Sequence, residues 1–113
     1  MEDLIARKRL EEMRHELDRS ITYLQTGTEP AGRYSADPAD AGASLSENDR
    51  TEAMLDSART QRDGVMAALD RIEAGRYGRC VDCGHDIPEG RLEAQPAALR
   101  CVACQGKHAR RRR

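Results

Sequence analysis

The first 25 residues carry their apolar side chains at helical spacing. Leu10, Met13, Leu17, Ile21 and Leu24 follow one another at steps of three and four, Leu4 and Ile5 precede them, and charged residues fill the gaps. One apolar stripe on a charged cylinder predicts an amphipathic helix from Met1 to about Gln25. The pattern dissolves between Thr26 and Ala43, where Gly27, Pro30, Gly32, Pro38 and Gly42 interrupt any helix among mostly small residues. Ser44-Leu45-Ser46-Glu47 then reads as a capping box, with Glu47 at the third helical position. Leu55, Ala58, Arg62, Val65, Leu69 and Ile72 alternate steps of three and four, a heptad seam in which Arg62 is the polar interruption. Gly64 lies inside this helix at a cost of about 1 kcal/mol relative to Ala. Gly75 is its natural stop.

Neither stripe can be buried by its own helix, and a loop joins the two. Residues 1–75 are therefore predicted to form an antiparallel helical hairpin. A helix of ~25 residues is about 38 Å long, so the loop at 26–43 is expected far from the residues after Gly75. The alternative, a compact bundle, is disfavoured by composition. Apolar residues make up 38%, with no Trp, no Phe and three Tyr (Tyr23, Tyr34, Tyr77). Rings supply much of a compact core's buried area. The 35% of charged residues suits long solvated helices. So small and polar a chain needs a staple such as a metal.

The cysteines supply it. Cys80 and Cys83 form one Cys-x2-Cys pair, Cys101 and Cys104 a second, and seventeen residues separate them. Zinc prefers four soft ligands in a tetrahedron, and two thiolates from one tight turn can reach the same ion. Gly84 allows the first turn its backbone geometry, while Pro88, Gly90 and Pro96 shape the connecting loop. Four thiolates leave no coordination position for water or substrate, so the expected ion is a single structural Zn2+. The cluster sums to −2, which Arg79, Arg100 and Lys107 are placed to offset. His85 and His108 are the alternative ligands, less favoured than four correctly spaced thiolates. A thioredoxin-like redox role lacks its βαβ surroundings, and an iron–sulfur cluster is the residual metal alternative.

The net charge of −1 hides an asymmetry: Lys107 and Arg110 to Arg113 contribute five positive charges, leaving −6 on residues 1–106. The basic end reads either as a contact for phosphate or an acidic protein, or as a solvated terminus. No apolar run approaches the ~20 residues of a membrane span, and Met1 to Leu10 lacks the apolar core of a signal peptide. A cytoplasmic location is expected, in a reducing medium where paired cysteines bind metal.

Helix, loop and helix are followed by Gly-Arg-Tyr-Gly-Arg-Cys-Val-Asp-Cys-Gly at 75–84, Ile-Pro-Glu-Gly-Arg-Leu-Glu-Ala-Gln-Pro at 87–96 and Cys-Val-Ala-Cys at 101–104. Nearly the whole chain resembles the DksA/TraR family of bacterial zinc-finger transcription regulators, most specifically in these three segments. The resemblance implies a mainly α fold: a coiled-coil hairpin over 1–75, and a four-cysteine zinc finger with a short C-terminal helix over 76–113. It implies RNA polymerase as partner, a coiled-coil tip inserted into the secondary channel, and altered lifetimes of promoter complexes. The nucleotide alarmone ppGpp is the further candidate, at the joint interface, and the chain is expected to act as a monomer.

The family's tip carries Asp-x-x-Asp followed by x-Ala. Asp37-Pro38-Ala39-Asp40-Ala41 matches both aspartates and the proline, whereas Gly42 stands where the family has Ala. The resemblance thus makes Asp37, Asp40 and Gly42 the partner-binding tip. Read without it, Asp37 opens a turn before Pro38 and Asp40 helps start the second helix.

Two other readings compete with a polymerase-binding regulator. One is a zinc-ribbon nucleic-acid binder using Arg79, Arg91, Arg100 and Arg110 to Arg113; the acidic body and the shortage of stacking aromatics count against it. The other is a structural adaptor whose coiled coil binds another protein. An enzyme has the least support: His15, His85 and His108 are scattered, with no nucleophile–base pairing and no phosphate-cradling loop.

Overall fold

The computed structural model describes residues 1–27 and 45–111, with four helices: α1 (Asp3–Thr26), α2 (Leu45–Glu73), α3 (Glu89–Ala94) and α4 (Val102–Arg111). Helices α1 and α2 form the antiparallel hairpin, and α3 and α4 belong to the cysteine-rich part. Among the described residues no strand forms; an isolated antiparallel bridge joins Arg79 to Asp86. Ser44, the expected cap of α2, lies outside the described residues.

The chain divides into two compact units. One comprises Met1–Glu12 with Gly64–Arg113, the other Met13–Asp63. In the first, the start of α1 and the end of α2 bury Ala6, Leu10, Val65, Ala68 and Ile72. Arg7 of α1 pairs with Glu73 of α2 at 2.6 Å. The expected seam positions Val65 and Ile72 are buried and Leu69 half-buried. Fully buried Ala68 shows that the apolar face is wider than a two-per-heptad line.

The stripe on α1 runs differently at its start from the expectation. Leu4 and Ile5 are 79% and 53% exposed, and Ala6 is buried instead. At 100° per residue, position 6 lies four residues before Leu10 and on its face, whereas 4 and 5 have rotated to the far side.

The second unit is lightly packed. Leu55 and Ala58 are buried on α2, while Met13, Leu17, Ile21 and Leu24 on α1 are only half-buried. Thr22 and Thr26 turn their hydroxyls back onto the carbonyls of Asp18 and Thr22, at 2.9 and 2.8 Å. Such back-bonding satisfies the hydroxyl locally at two exposed positions.

Helix α2 ends in a Schellman motif. Gly75 adopts φ +71°, its N–H bonds to the Ile72 carbonyl at 3.1 Å, and the Arg76 N–H reaches Arg71 at 2.8 Å. The left-handed conformation favours glycine because a Cβ would crowd the carbonyl. This stop turns the chain toward the cysteines.

Helix α3 was not legible in the sequence. Six residues are too few for a periodic signal, and Pro88 and Gly90 read as loop formers. Pro88 nevertheless suits the position before the first turn, and its carbonyl accepts from Arg91 and Leu92 at 3.0 and 3.1 Å.

Candidate metal centre

The lead from α2 into the first knuckle is pinned by side chains reaching backbone carbonyls. Arg71 donates from Nη2 to Arg76 and Arg79, at 3.2 and 3.0 Å. The Tyr77 hydroxyl donates to the carbonyl of buried Pro96 at 2.8 Å, closing the loop around α3. From α1, Arg9 donates to the Glu93 carbonyl at 2.9 Å, and the Met1 amino group pairs with Glu89. Arg9 therefore meets the C-terminal, electronegative end of α3.

Each knuckle is a tight turn built from backbone bonds. Cys80 N–H bonds to the His85 carbonyl at 2.8 Å and Ile87 N–H to Gly78 at 2.7 Å, framing the loop that contains Cys83. Gly84 closes it, with φ +76° and an N–H to the Cys80 carbonyl at 3.0 Å. In the second knuckle Gln105 N–H reaches the Cys101 carbonyl at 2.8 Å, so Cys104 rides on the first turn of α4.

Three further bonds stitch the knuckles together. Val81 N–H reaches the Leu99 carbonyl at 2.9 Å, Arg100 Nε meets Asp82 Oδ2 at 2.9 Å, and Arg91 Nε donates to the Arg100 carbonyl at 3.0 Å. Arg100 is one of three cations, with Arg79 and Lys107, that the sequence places near the cluster's charge. Its side chain pairs with Asp82, so a basic residue before one knuckle also braces the other. The roles of Asp82 and Arg91 had no signal in the spacing, because the pairing depends on how the two turns face each other.

The four sulfurs converge. All of the Sγ atoms lie within 4.8 Å of one another, and Cys83 and Cys101 are 3.9 Å apart. A tetrahedron of thiolates about 2.3 Å from zinc has an edge of about 3.8 Å, close to the 3.9 Å between Cys83 and Cys101, so this donor set suits Zn2+. Cys80 is buried beside Ile87 and Leu92, with Met1, Tyr77, Cys101 and Cys104 packed around them; Cys83 is exposed. The site is thus one wall of the small apolar cluster. The chain carries a four-cysteine structural zinc site, built against this apolar cluster.

Without metal the thiols share protons unequally. Burial pushes Cys80 up, but the backbone groups of Cys83, Cys101 and Asp82 outweigh it and bring the thiol down to about 6. Cys104 is pushed up to about 12, first by its hydrogen bond with the Cys101 sulfur and then by that with Cys80. Cys83 lies above its ordinary value: its largest interaction, with His85, favours the thiolate, but desolvation and the contact with Cys80 prevail. Bound zinc replaces those protons and holds all four as thiolates.

The other residues singled out in the sequence lie elsewhere. His15 and His85 are exposed, His108 is half-buried, and none joins the sulfur group. Asp37, Asp40 and Gly42 lie outside the described residues. No helix among the described residues is long and apolar enough to cross a membrane.

Comparison with known proteins agrees with this geometry. Residues 75–110 match the family model of the prokaryotic dksA/traR C4-type zinc finger. The RNA polymerase-binding transcription factor DksA of Caulobacter vibrioides is 35% identical over 103 residues, covering 91% of this chain and 70% of that protein. Its counterpart in Escherichia coli K12 is 31% identical over 94 residues, 83% of this chain and 60% of that protein. The solution structure of a DnaK suppressor protein from Agrobacterium tumefaciens superposes with a TM-score of 0.64 at 28% identity, covering 95% of this chain and 94% of that one. Transcription factor DksA2 of Pseudomonas aeruginosa shares the fold, with a TM-score of 0.69 at 23% identity over 97% of this chain and 84% of that one.

Proposed function

Because the chain belongs to the DksA/TraR family, we propose that it is a non-enzymatic transcription regulator that binds RNA polymerase and reaches into the secondary channel with the loop between α1 and α2. The supporting observation is the extent of the match to the Caulobacter factor. It covers 91% of this chain, so hairpin and finger are both shared with a protein named for polymerase binding. A match confined to the finger would have supported only a zinc module.

In this reading the two parts divide the work. Residues 76–113 dock on the outside of the enzyme, and the hairpin of residues 1–75 carries Asp37 and Asp40 inward. A carboxylate acts more strongly in a narrow protein cleft than in bulk water, because fewer solvent dipoles screen it. Its targets there are a metal ion or a basic loop. ppGpp is assigned to the joint interface, on surfaces formed only with the polymerase, and the chain acts as a monomer.

A pull-down of zinc-loaded protein with core RNA polymerase tests this, followed by competition with another factor known to occupy the secondary channel. Stoichiometric capture that the competitor displaces is the expected result. Failure to bind, or binding indifferent to the competitor, would remove the secondary-channel reading.

A further inference from the structure

Helix α4 has a cationic face with no acidic counterpart among the described residues. Lys107, Arg110 and Arg111 are exposed and line one hollow on the surface. Spacings of three and four bring them onto one side of the helix. No acidic residue occurs after Glu93, and among the described residues none of the three cations has a carboxylate partner. Part of this charge has a local use, since cations near a helix C-terminus offset its dipole. That effect does not require three cations in one sector, unpaired, on the least acidic stretch of an otherwise acidic chain.

We propose that this face is a docking surface for an acidic patch on the partner protein, and that it supplies the electrostatic part of the finger's grip. The inference rests on the polymerase-binding reading above, to which it adds the chemistry of the contact. Two guanidinium forks present paired donors that match carboxylates. Phosphates would accept the same donors, but the rest of the chain argues for a protein. Residues 1–93 carry a net charge of −7, which repels an extended polyanion, whereas a compact carboxylate patch is met within a Debye length. No Phe, Trp or Tyr follows Tyr77 to stack on bases. Val81 and Val102, 39% and 67% exposed at the two knuckles, add apolar surface that a phosphate backbone does not reward.

The test measures binding of full-length, zinc-loaded protein to core RNA polymerase at rising KCl. Wild type is compared with K107E/R110E/R111E and with K107Q/R110Q/R111Q, the glutamine variant avoiding negative charge at the end of α4. Zinc content and circular dichroism verify that each is folded. Wild-type affinity is expected to fall with salt, and both variants to bind about tenfold or more weakly at low salt with a flatter salt dependence. R110K/R111K keeps the charge but loses the forks, so it should bind more tightly than the glutamine variant and more weakly than wild type. Wild-type affinity and salt dependence in the glutamine variant would overturn the proposal while leaving the functional reading intact. So would binding of a short DNA duplex as tight as that of polymerase and abolished by the same changes. Absence of wild-type binding to polymerase would bring down both.

Discussion

Arg62 on α2 donates from Nε to Asp18 Oδ1 on α1 at 2.5 Å, so the polar break in the heptad seam is met by a charge from the facing helix. Both side chains keep more than a third of their surface in water, at 37% and 45%. Solvent therefore screens the pair, and its direct contribution is about 0.3–1 kcal/mol. Its larger consequence is for register: a lone polar pair in an apolar seam aligns only when the helices are correctly staggered.

A double-mutant cycle on Asp18→Ala and Arg62→Ala, read by urea denaturation of the zinc-loaded protein, should give a coupling within that range that shrinks in high salt. Arg62→Leu should raise the urea midpoint, because it continues the seam with an apolar side chain while Asp18 remains solvated. A drop in midpoint for Arg62→Leu would show that the ion pair, not the seam, dominates this unit.

The Tyr77 hydroxyl gives a prediction with a pH dependence. Burial holds this group above its ordinary 10.0, more than the opposing charge of Arg9 lowers it. A pKa raised in the fold means that the native state keeps the proton longer than the unfolded chain. The associated stability is complete below about pH 10 and is lost as pH rises through the folded value. Tyr77→Phe removes the bond to Pro96 and should cost about 1 kcal/mol near neutrality. The gap between wild type and variant should narrow above pH 10. A gap that stays constant to pH 11 would mean that the hydroxyl is not the titrating element.

The hairpin and the sulfur cluster were legible because each follows from a local rule. Steps of three and four mark one side of a helix whatever lies opposite, and two Cys-x2-Cys turns announce a tetrahedral ion. What was not legible depended on where two distant segments meet. Leu4 and Ile5 looked like a continuation of the stripe, and only the phase set by Leu10 shows that Ala6 takes their place. Arg100 looked like only a counter-charge for zinc because Asp82, eighteen residues away, becomes its neighbour only after both knuckles fold. Helix α3 is held by Arg9 and Tyr77 from outside, and its own six residues carry too little pattern to declare it.

Zinc removal should affect the two units differently. Cys80 shares the apolar cluster with Ile87 and Leu92, so losing the ion opens that cluster as well as the knuckles. Chelation should abolish hydrogen-exchange protection at the amides of Cys80, Val81 and Ile87, while protection within residues 49–61 persists. Cys80→Ser should be more damaging than Cys83→Ser, since it places a hydroxyl at a buried position rather than an exposed one. Reloading near pH 8 should release at least two protons per zinc, because thiols in the opened knuckles titrate near the ordinary value of about 8.5 and the ion binds all four as thiolates. Fewer than two, measured by calorimetry in buffers of different ionisation enthalpy, would contradict this account of the thiols.

Asp37 and Asp40 test whether the loop segment and the finger have separable tasks. If docking belongs to the finger and action to the loop, Asp40→Asn should leave polymerase affinity within about twofold while abolishing the effect on promoter-complex lifetime. Asp37→Asn should do the same more weakly. The substitution keeps size and hydrogen-bonding capacity and removes only charge, so a loss reports the electrostatic role of the carboxylate. Gly42→Ala restores the methyl that the family carries at this position and is expected to strengthen the same effect by reducing backbone freedom in the loop. Wild-type promoter kinetics in the Asp37→Asn/Asp40→Asn double variant would move the active contact away from the loop, with the family fold and zinc site unaffected.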